Sequence, residues 1–377
     1  MYRQNLYLCL GLVLVISACG VSREEGSLNA ESGMAVLQAT PGRPSAFPHR
    51  IWAACDFELS RNDVMWLGAY ETADIPSYPG NRTAAGARPA PGGEMRFLGI
   101  KPSYYPRMGR ANSIYFKYFL KGTGSISLQL FNQDKNLCHQ ARLTGLAEGE
   151  WSEATVDLSR VPSGPNGRIV EGERMDDLVM FVEPAQKGGT CELMVDDIIC
   201  FSDNGKEETP SGEPFPRRVI CLWSFDVVDN YHPWTHRNYW VLRKGEMPEN
   251  DWGVAQALPQ ENKTGKRIRL IIDPPQQVGS TTKLRFRYFL KGTSSFQVQI
   301  FDLTDRDNRH IVIEGVEQGI WQWANLDFTK NGIKNDGNQT PFKVGNLVDD
   351  IFFFPLGAGE DAELLIDEVV LYDAGDS

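Results

Sequence analysis

Apolar and polar residues alternate with a period of two through much of this chain. In Leu284-Arg285-Phe286-Arg287-Tyr288-Phe289-Leu290 the even positions are apolar or aromatic, and in Ser295-Phe296-Gln297-Val298-Gln299-Ile300 they are so again, with Arg and Gln between them. Successive side chains of a strand point to opposite faces, so the pattern predicts strands with one buried face and one outward face. Ile114-Tyr115-Phe116-Lys117-Tyr118 and Ile126-Ser127-Leu128-Gln129-Leu130 show the same alternation earlier in the chain, and Lys-Gly-Thr between the two runs in each region reads as a turn. Amphipathic helix signals are weak throughout.

The two regions are copies. Tyr118-Phe119-Leu120-Lys121-Gly122-Thr123 recurs as Tyr288-Phe289-Leu290-Lys291-Gly292-Thr293, and Gly149-Glu150-Trp151 falls on Gly319-Ile320-Trp321 at the same offset. Val156-Asp157-Leu158 falls on Leu326-Asp327-Phe328, Phe57-Glu58 on Phe225-Asp226, Asp176-Asp177-Leu178 on Asp349-Asp350-Ile351, and Val195-Asp196-Asp197-Ile198 on Ile366-Asp367-Glu368-Val369. The order is kept over a span the size of a domain, which a tandem duplication explains and a short solenoid repeat does not. Short alternating strands between Gly/Pro-rich loops make each copy an antiparallel β-sandwich. The chain is therefore expected to be all-β, with domain 1 at residues 49–203 and domain 2 at 217–377.

What flanks the copies is of another kind. Residues 1–18 hold Arg3 and then the apolar run Leu6 to Ile16, the length of a signal-peptide core and too short to span a bilayer. Ile16-Ser17-Ala18-Cys19 resembles the bacterial lipobox, which implies lipid on Cys19 and a membrane-anchored protein of the bacterial cell envelope on its periplasmic or extracellular side. Residues 19–48 are rich in Gly, Ser, Ala, Glu and Pro and read as a flexible tether, and 204–216 as the linker between copies. The net charge of −11 excludes nucleic acid and anionic lipid as natural partners. Beyond Cys9 and Cys19, five cysteines remain; they are read as buried thiols or as one or two disulfides in domain 1.

A first strand ending in Phe57-Glu58 or Phe225-Asp226, a late Gly-x-Trp, and a final strand opened by Asp196-Asp197-Ile198 or Asp367-Glu368-Val369 resemble the jelly-roll carbohydrate-binding modules of the galactose-binding-like superfamily. The resemblance implies two tandem jelly-roll β-sandwich domains that bind a polysaccharide or oligosaccharide. It also implies a structural Ca2+ in each copy, held by Glu58 with Asp196 and by Asp226 with Asp367, since calcium takes oxygen ligands from separate segments. The plainer reading of these acids is solvated turn residues or hydrogen-bond caps.

Candidate binding residues fall in two groups. In copy 2 the alternation turns Trp321, Trp323 and Asn325 away from Leu326 and Phe328, and turns Arg285, Arg287, Gln297 and Gln299 away from their own cores. An outward Trp among Arg and Gln suits a sugar, whose C–H face packs on an aromatic ring while planar polar groups take its hydroxyls; an ordinary solvated face is the alternative. Trp151 and Trp321, at matching positions, read as framework. The second group is the stretch after the first strand of copy 2, with His232, Trp234, His236, Tyr239 and Trp240, weighed as a ligand-binding loop or as a loop folded over the sandwich edge. Pro233 argues against a helix that would let His232 and His236 share a metal. Copy 1 carries a longer insertion, Ser60 to Arg110, with no legible role. No nucleophile elbow, phosphate loop or HExxH signature occurs. The leading expectation is a non-catalytic, membrane-anchored glycan-binding lipoprotein; the rivals are a jelly-roll polysaccharide lyase or hydrolase, with His232, His236 or Tyr239 as base, and a surface scaffold or adhesin for protein partners.

Overall fold

A computed structural model describes residues 35–58, 66–78, 81–90, 94–102, 105–161, 168–203, 212–226, 239–243, 252–260, 265–357, 359 and 361–374. The signal peptide, Cys19, and the loop residues His232, Trp234 and His236 lie outside them. Copy 1 runs through β1 (Ala35–Gln38), β2 (Thr40–Pro41), β3 (Arg50–Cys55), β4 (Trp66–Ala69), β5 (Glu71–Tyr78), β6 (Asn81–Gly86), β7 (Arg88–Pro89), β8 (Arg96–Pro102), β9 (Asn112–Lys121), β10 (Ile126–Asn132), β11 (Leu137–Thr144), β12 (Trp151–Asp157), β13 (Met175–Val182) and β14 (Glu192–Ser202). Copy 2 follows with β15 (Arg218–Trp223), β16 (Tyr239–Arg243), β17 (Gly253–Pro259), β18 (Lys266–Gln277), β19 (Thr282–Lys291), β20 (Phe296–Asp302), β21 (Asp307–Ile313), β22 (Trp321–Asp327), β23 (Ile333–Lys334), β24 (Leu347–Pro355) and β25 (Glu363–Asp373).

Each copy is a two-layer jelly roll. In copy 1 one layer has the order β2-β12-β9-β14-β6-β5 with β3 on β14, and the other β1-β11-β10-β13-β8-β4 with β7 on β8. In copy 2 the corresponding layers are β22-β19-β25-β17, with β15 on β25 and β16 on β17, and β18-β24-β20-β21-β23; a short β17–β18 pairing joins them into one curled sheet. The period of two is realised as expected. Ile114, Phe116 and Tyr118 enter the core of copy 1, and Leu284, Phe286 and Tyr288 that of copy 2. The repeated Lys-Gly-Thr crosses from one layer to the other rather than closing a hairpin within a sheet. Its glycine is required: Gly122 and Gly292 have φ of 73° and 78°, and a Cβ on Gly122 would sit 2.1 Å from the Thr190 carbonyl oxygen.

Two other repeated motifs gain a physical role. Asp157 and Asp327 are N-caps: each carboxylate accepts the backbone N–H two residues on, Ser159 at 2.9 Å and Thr329 at 3.0 Å, at the start of a single helical turn. The Asp196-Asp197 and Asp367-Glu368 pairs lie within β14 and β25, not at their start, and each marks a β-bulge. Asp197 and Glu368 take φ of 45° and 48°, and the preceding aspartate accepts their N–H at 2.8 Å in both copies.

The copies pack through one layer each. Tyr115 of β9, Ile199 and Phe201 of β14, and Ile51 and Ala54 of β3 form a common apolar cluster with Val219 and Leu222 of β15 and Val370 and Tyr372 of β25. Phe47 and Phe215 seal it, at 4% and 1% exposure. Two arginines cross this contact in a near-twofold arrangement. Arg50 pairs with Asp226 and, at 2.8 Å, with Glu368, while Arg218 pairs with Asp56 at 2.7 Å and with Asp373 at 3.5 Å. The layers in contact are called inner below, and the other two outer.

Two expectations about the flanks are corrected. Residues 35–41 are not tether, because β1 pairs in parallel with β11, β2 pairs with β12, and Leu37 and Ala39 are buried in the core of copy 1. The end of the linker is fixed as well: Ala46 bridges to Pro214, and Lys283 holds Glu213 at 2.7 Å. The Ser60 to Arg110 insertion supplies β4 to β8, which complete both layers of copy 1. Cys55, Cys191, Cys200 and Cys221 are buried, and no disulfide joins the described cysteines.

Candidate functional site

The outward residues of copy 2 divide between opposite faces. Arg285 and Arg287 stand on β19 of the inner layer, whereas Gln297 and Gln299 stand on β20 of the outer layer. A single site built from all four does not form.

The inner-layer face is where the expectation fails. Trp323 does turn outward beside Trp321 and Asn325, but it meets copy 1. The Arg285 guanidinium lies 3.7 Å from the centre of the Trp323 ring and 4.5 Å from that of Phe47, His49 approaches Trp323 edge-on at 6.1 Å, and Arg285 Nη1 donates to the His49 carbonyl oxygen at 3.4 Å. Arg285 is 1% exposed, and burial pulls its pKa down to about 10. The arginine and tryptophan read as a sugar platform therefore belong to the contact between copies. Arg287 lies over Trp321 at 4.6 Å, and Trp321 packs on Phe289 at 5.8 Å, as Trp151 packs on Phe119 at 6.2 Å in copy 1. Both Gly-x-Trp tryptophans are thus framework.

Tyr239 is corrected too. It is 8% exposed, lies in the core of copy 2 and meets Phe225 edge-on at 5.4 Å, so it is neither a base nor a ligand contact; burial raises its pKa. Trp240 is in β16, and its side chain is outside what is described.

The four acids named for calcium each have protein partners. Glu58 accepts the backbone N–H groups of Arg82 and Thr83 at 2.5 and 2.7 Å, and Asp226 is paired with Arg50. Asp196 and Asp367 each accept the N–H of the following bulge residue. Among the described residues no group of three or more His, Cys, Asp or Glu side chains is placed to hold a metal.

Gln297 and Gln299 remain on the outer-layer face of copy 2, with neighbours that sequence reasoning missed. Across the strands Gln299 stands between Phe352 of β24 and His310 of β21, and Gln297 between Phe354 and Val312. Arg269 of β18 is opposite Phe352 on its other side. Phe352 and Phe354 are near-parallel, 5.7 Å between ring centres and 18° between planes, and both are half-buried. The guanidinium groups of Arg267 and Arg269 lie 5.8 and 5.6 Å from the Phe352 ring. Arg269 is held by Asp350 through two hydrogen bonds of 2.8 and 2.7 Å, which fixes its fork in place. The next residue back, Asp349, has its pKa raised to about 6 by burial and by the Asp350 charge. Aromatic faces, planar amides and a fixed guanidinium thus share one open surface, and Val312 at its margin is 37% exposed.

No protein-family model matches this chain, and no curated protein matches it in sequence. Among solved structures it is similar to the tandem CBM22-1–CBM22-2 domain of Xyn10C from Paenibacillus barcinonensis, at 11% identity over 89% of this chain and 100% of that one, with a TM-score of 0.31. It is also similar to the apo CBM1 of BiXyn10A, at 10% identity over 41% and 97% with a TM-score of 0.24, and to allantoicase of Saccharomyces cerevisiae, at 9% identity over 85% and 93% with a TM-score of 0.22.

Proposed function

We propose that this protein is a non-catalytic glycan-binding lipoprotein of the bacterial cell envelope, anchored through lipid on Cys19, and that the outer-layer face of copy 2 is its polysaccharide site. The observation that carries the reading is the near-parallel Phe352–Phe354 pair on an open face, flanked by Arg267, Arg269, Gln297 and Gln299. A pyranose presents a C–H face for an aromatic ring and equatorial hydroxyls for planar donors and acceptors, and this face offers both. The strands β18, β24, β20 and β21 lie side by side, so the row spans about 14 Å at the usual strand spacing, the length of a short run of sugar rings. The apolar run Leu6 to Ile16 and the lipobox-like Ile16-Ser17-Ala18-Cys19 support the setting, because a protein anchored through such a segment is suited to capturing polymer at the envelope.

The test uses residues 20–377 without the lipid. Native affinity gels containing arabinoxylan, mixed-linkage β-glucan, galactomannan or polygalacturonate are run with wild type, Phe354→Ala and Gln299→Ala. Retardation by at least one polymer, weakened about fivefold or more by each substitution, is expected, since losing a stacked or central contact commonly costs more than about 1 kcal/mol. Retardation unaffected by both variants would place the site elsewhere.

A further inference from the structure

We infer that the protein bridges two polysaccharide chains, because copy 1 carries a second site of the same class on the far side of the molecule. The inference rests on the glycan-binding reading above and adds to it a second site, its direction and its consequence.

The outer-layer face of copy 1 reproduces the chemistry of its counterpart. Phe97 of β8 and Phe181 of β13 are register partners whose rings stack at 6.0 Å and 28°. The Arg88 guanidinium lies 5.2 Å from the Phe97 ring, as the Arg267 and Arg269 guanidiniums lie near Phe352. Across the strands Phe181 stands beside Ser127, which is opposite Arg142, and Val179 beside Gln129, which is opposite Gln140. Phe181 and Phe354 close the matched stretches that begin at Asp176-Asp177 and Asp349-Asp350. In both copies one member of that acid pair holds a cation from the neighbouring strand, the first in copy 1, where Lys101 pairs with Asp176 at 2.5 Å, and the second in copy 2, where Arg269 pairs with Asp350. Asp177, like Asp349, has its pKa raised to about 6 by burial and by its neighbour's charge. The copy 1 face is the more enclosed, with Phe181 at 6% and Gln129 at 8% exposure, but Phe97, Ser127 and Gln140 are half-open and Arg142 is exposed.

The duplication has not treated all faces alike. On the inner layers Lys117 and Glu153 of copy 1 stand where copy 2 has Arg287 and Trp323, and the two copies use those positions differently: Lys117 pairs with Asp197, whereas Trp323 stacks on Arg285. On the outer layers each copy has an aromatic pair with a guanidinium near it, amides and an acid pair; at matched positions Phe181 and Phe354, Gln129 and Gln299, and the acids coincide, whereas Val179 and Ser127 stand where copy 2 has Phe352 and Gln297.

Direction follows from the packing. The inner layers are pressed together by the shared apolar cluster and clamped by Arg50 and Arg218, so the order of sheets is outer, inner, inner, outer. With sheets about 10 Å apart, the two outer sheets are about 30 Å apart and their outward faces point in opposite directions. One short oligosaccharide cannot touch both, and the clamped interface cannot fold them together. Two separate polymer chains can be held at once.

The experiment uses residues 20–377 and the same four polysaccharides, each as insoluble beads and as a soluble fluorescein-labelled form. Beads are loaded with protein, washed, and offered the labelled polymer. Wild type is expected to stay on beads of at least one polysaccharide and to recruit its labelled form. Phe97→Ala and Phe354→Ala should each remain bead-bound through the other face yet recruit at least tenfold less. Arg88→Ala and Gln299→Ala, which leave the rings in place, should lower recruitment in the same sense and guard against misfolding of the phenylalanine variants. Wild type that binds beads without recruiting overturns bridging and leaves glycan binding standing; so does recruitment unaffected by Phe97→Ala and Arg88→Ala. No retention on any bead removes the glycan reading and the bridging with it.

Discussion

Trp323→Ala separates the interface from a ligand platform more sharply than any other single change. In the fold the Trp323 ring covers a guanidinium that is 1% exposed, at 3.7 Å, and meets His49 edge-on. A cation–π contact in a desolvated setting contributes about 2 kcal/mol, and loss of the edge-on ring contact adds about 0.5–1.5 kcal/mol, so the variant should lose about 2–4 kcal/mol. The Arg285 charge is already costly there, since burial holds its pKa down to about 10, and removing its stacking partner leaves that cost uncompensated. For domains of this size the loss corresponds to a melting temperature lower by roughly 5–15 °C. Differential scanning calorimetry reads the shift, and affinity gels with the same protein read binding, which should be unchanged. A Trp323→Ala protein that melts within about 1 °C of wild type but no longer binds polysaccharide would refute the reasoning and restore Trp323 as an exposed anchor.

Four further outcomes are expected. Arg50→Ala strands Asp226, which is 2% exposed, without its cation, and should cost about 3–5 kcal/mol by urea unfolding; an effect below about 1 kcal/mol would mean that the pair is not buried in solution. Asp177 has a folded pKa near 6, above its ordinary value of 3.8. The native state therefore holds its proton more tightly, and stability falls as pH rises through that window; Asp177→Asn should raise the melting temperature at pH 7.5, by at most about 3 kcal/mol of stability, with little effect near pH 4. A chain beginning at His49 lacks β1, β2 and Phe47, and should be cleaved by trypsin much faster than residues 20–377. Because the paired acids are taken by protein donors, EDTA and added Ca2+ should each leave the melting temperature within about 1 °C, whereas a metal-holding site would show a concentration-dependent rise.

The sandwich class, the duplication and the inward residues of β9, β10, β19 and β20 were legible because period two and repeated motifs are local properties of the chain. Which outward face is covered is not local. Trp323 and Arg285 carry the same chemistry whether they meet a sugar or another domain, and only the packing of the copies decides. A signal was nevertheless present: Phe47-Pro48 and Phe215-Pro216 recur at the same offset as Arg50 and Arg218, and a repeated aromatic in segments otherwise poor in apolar residues marks an anchor rather than a tether. Phe352 and Phe354 escaped notice for another reason. Ile351-Phe352-Phe353-Phe354 is apolar on both faces, and a continuous run reads as a fully buried strand, which conceals the side that stays open. Gln297 and Gln299 were legible as outward but not their neighbours, since register across β20, β21 and β24 is a tertiary fact.

Hydroxyl-radical footprinting of residues 20–377, with and without the polysaccharide that retards the protein most, tests the location of the site directly. The account predicts that oxidation of Phe352, Phe354 and His310 falls several-fold on binding while that of Trp321 and Trp323 is unchanged. Protection of Trp321, Trp323 or Trp234 with Phe352 and Phe354 still oxidised at their unbound rate would contradict it.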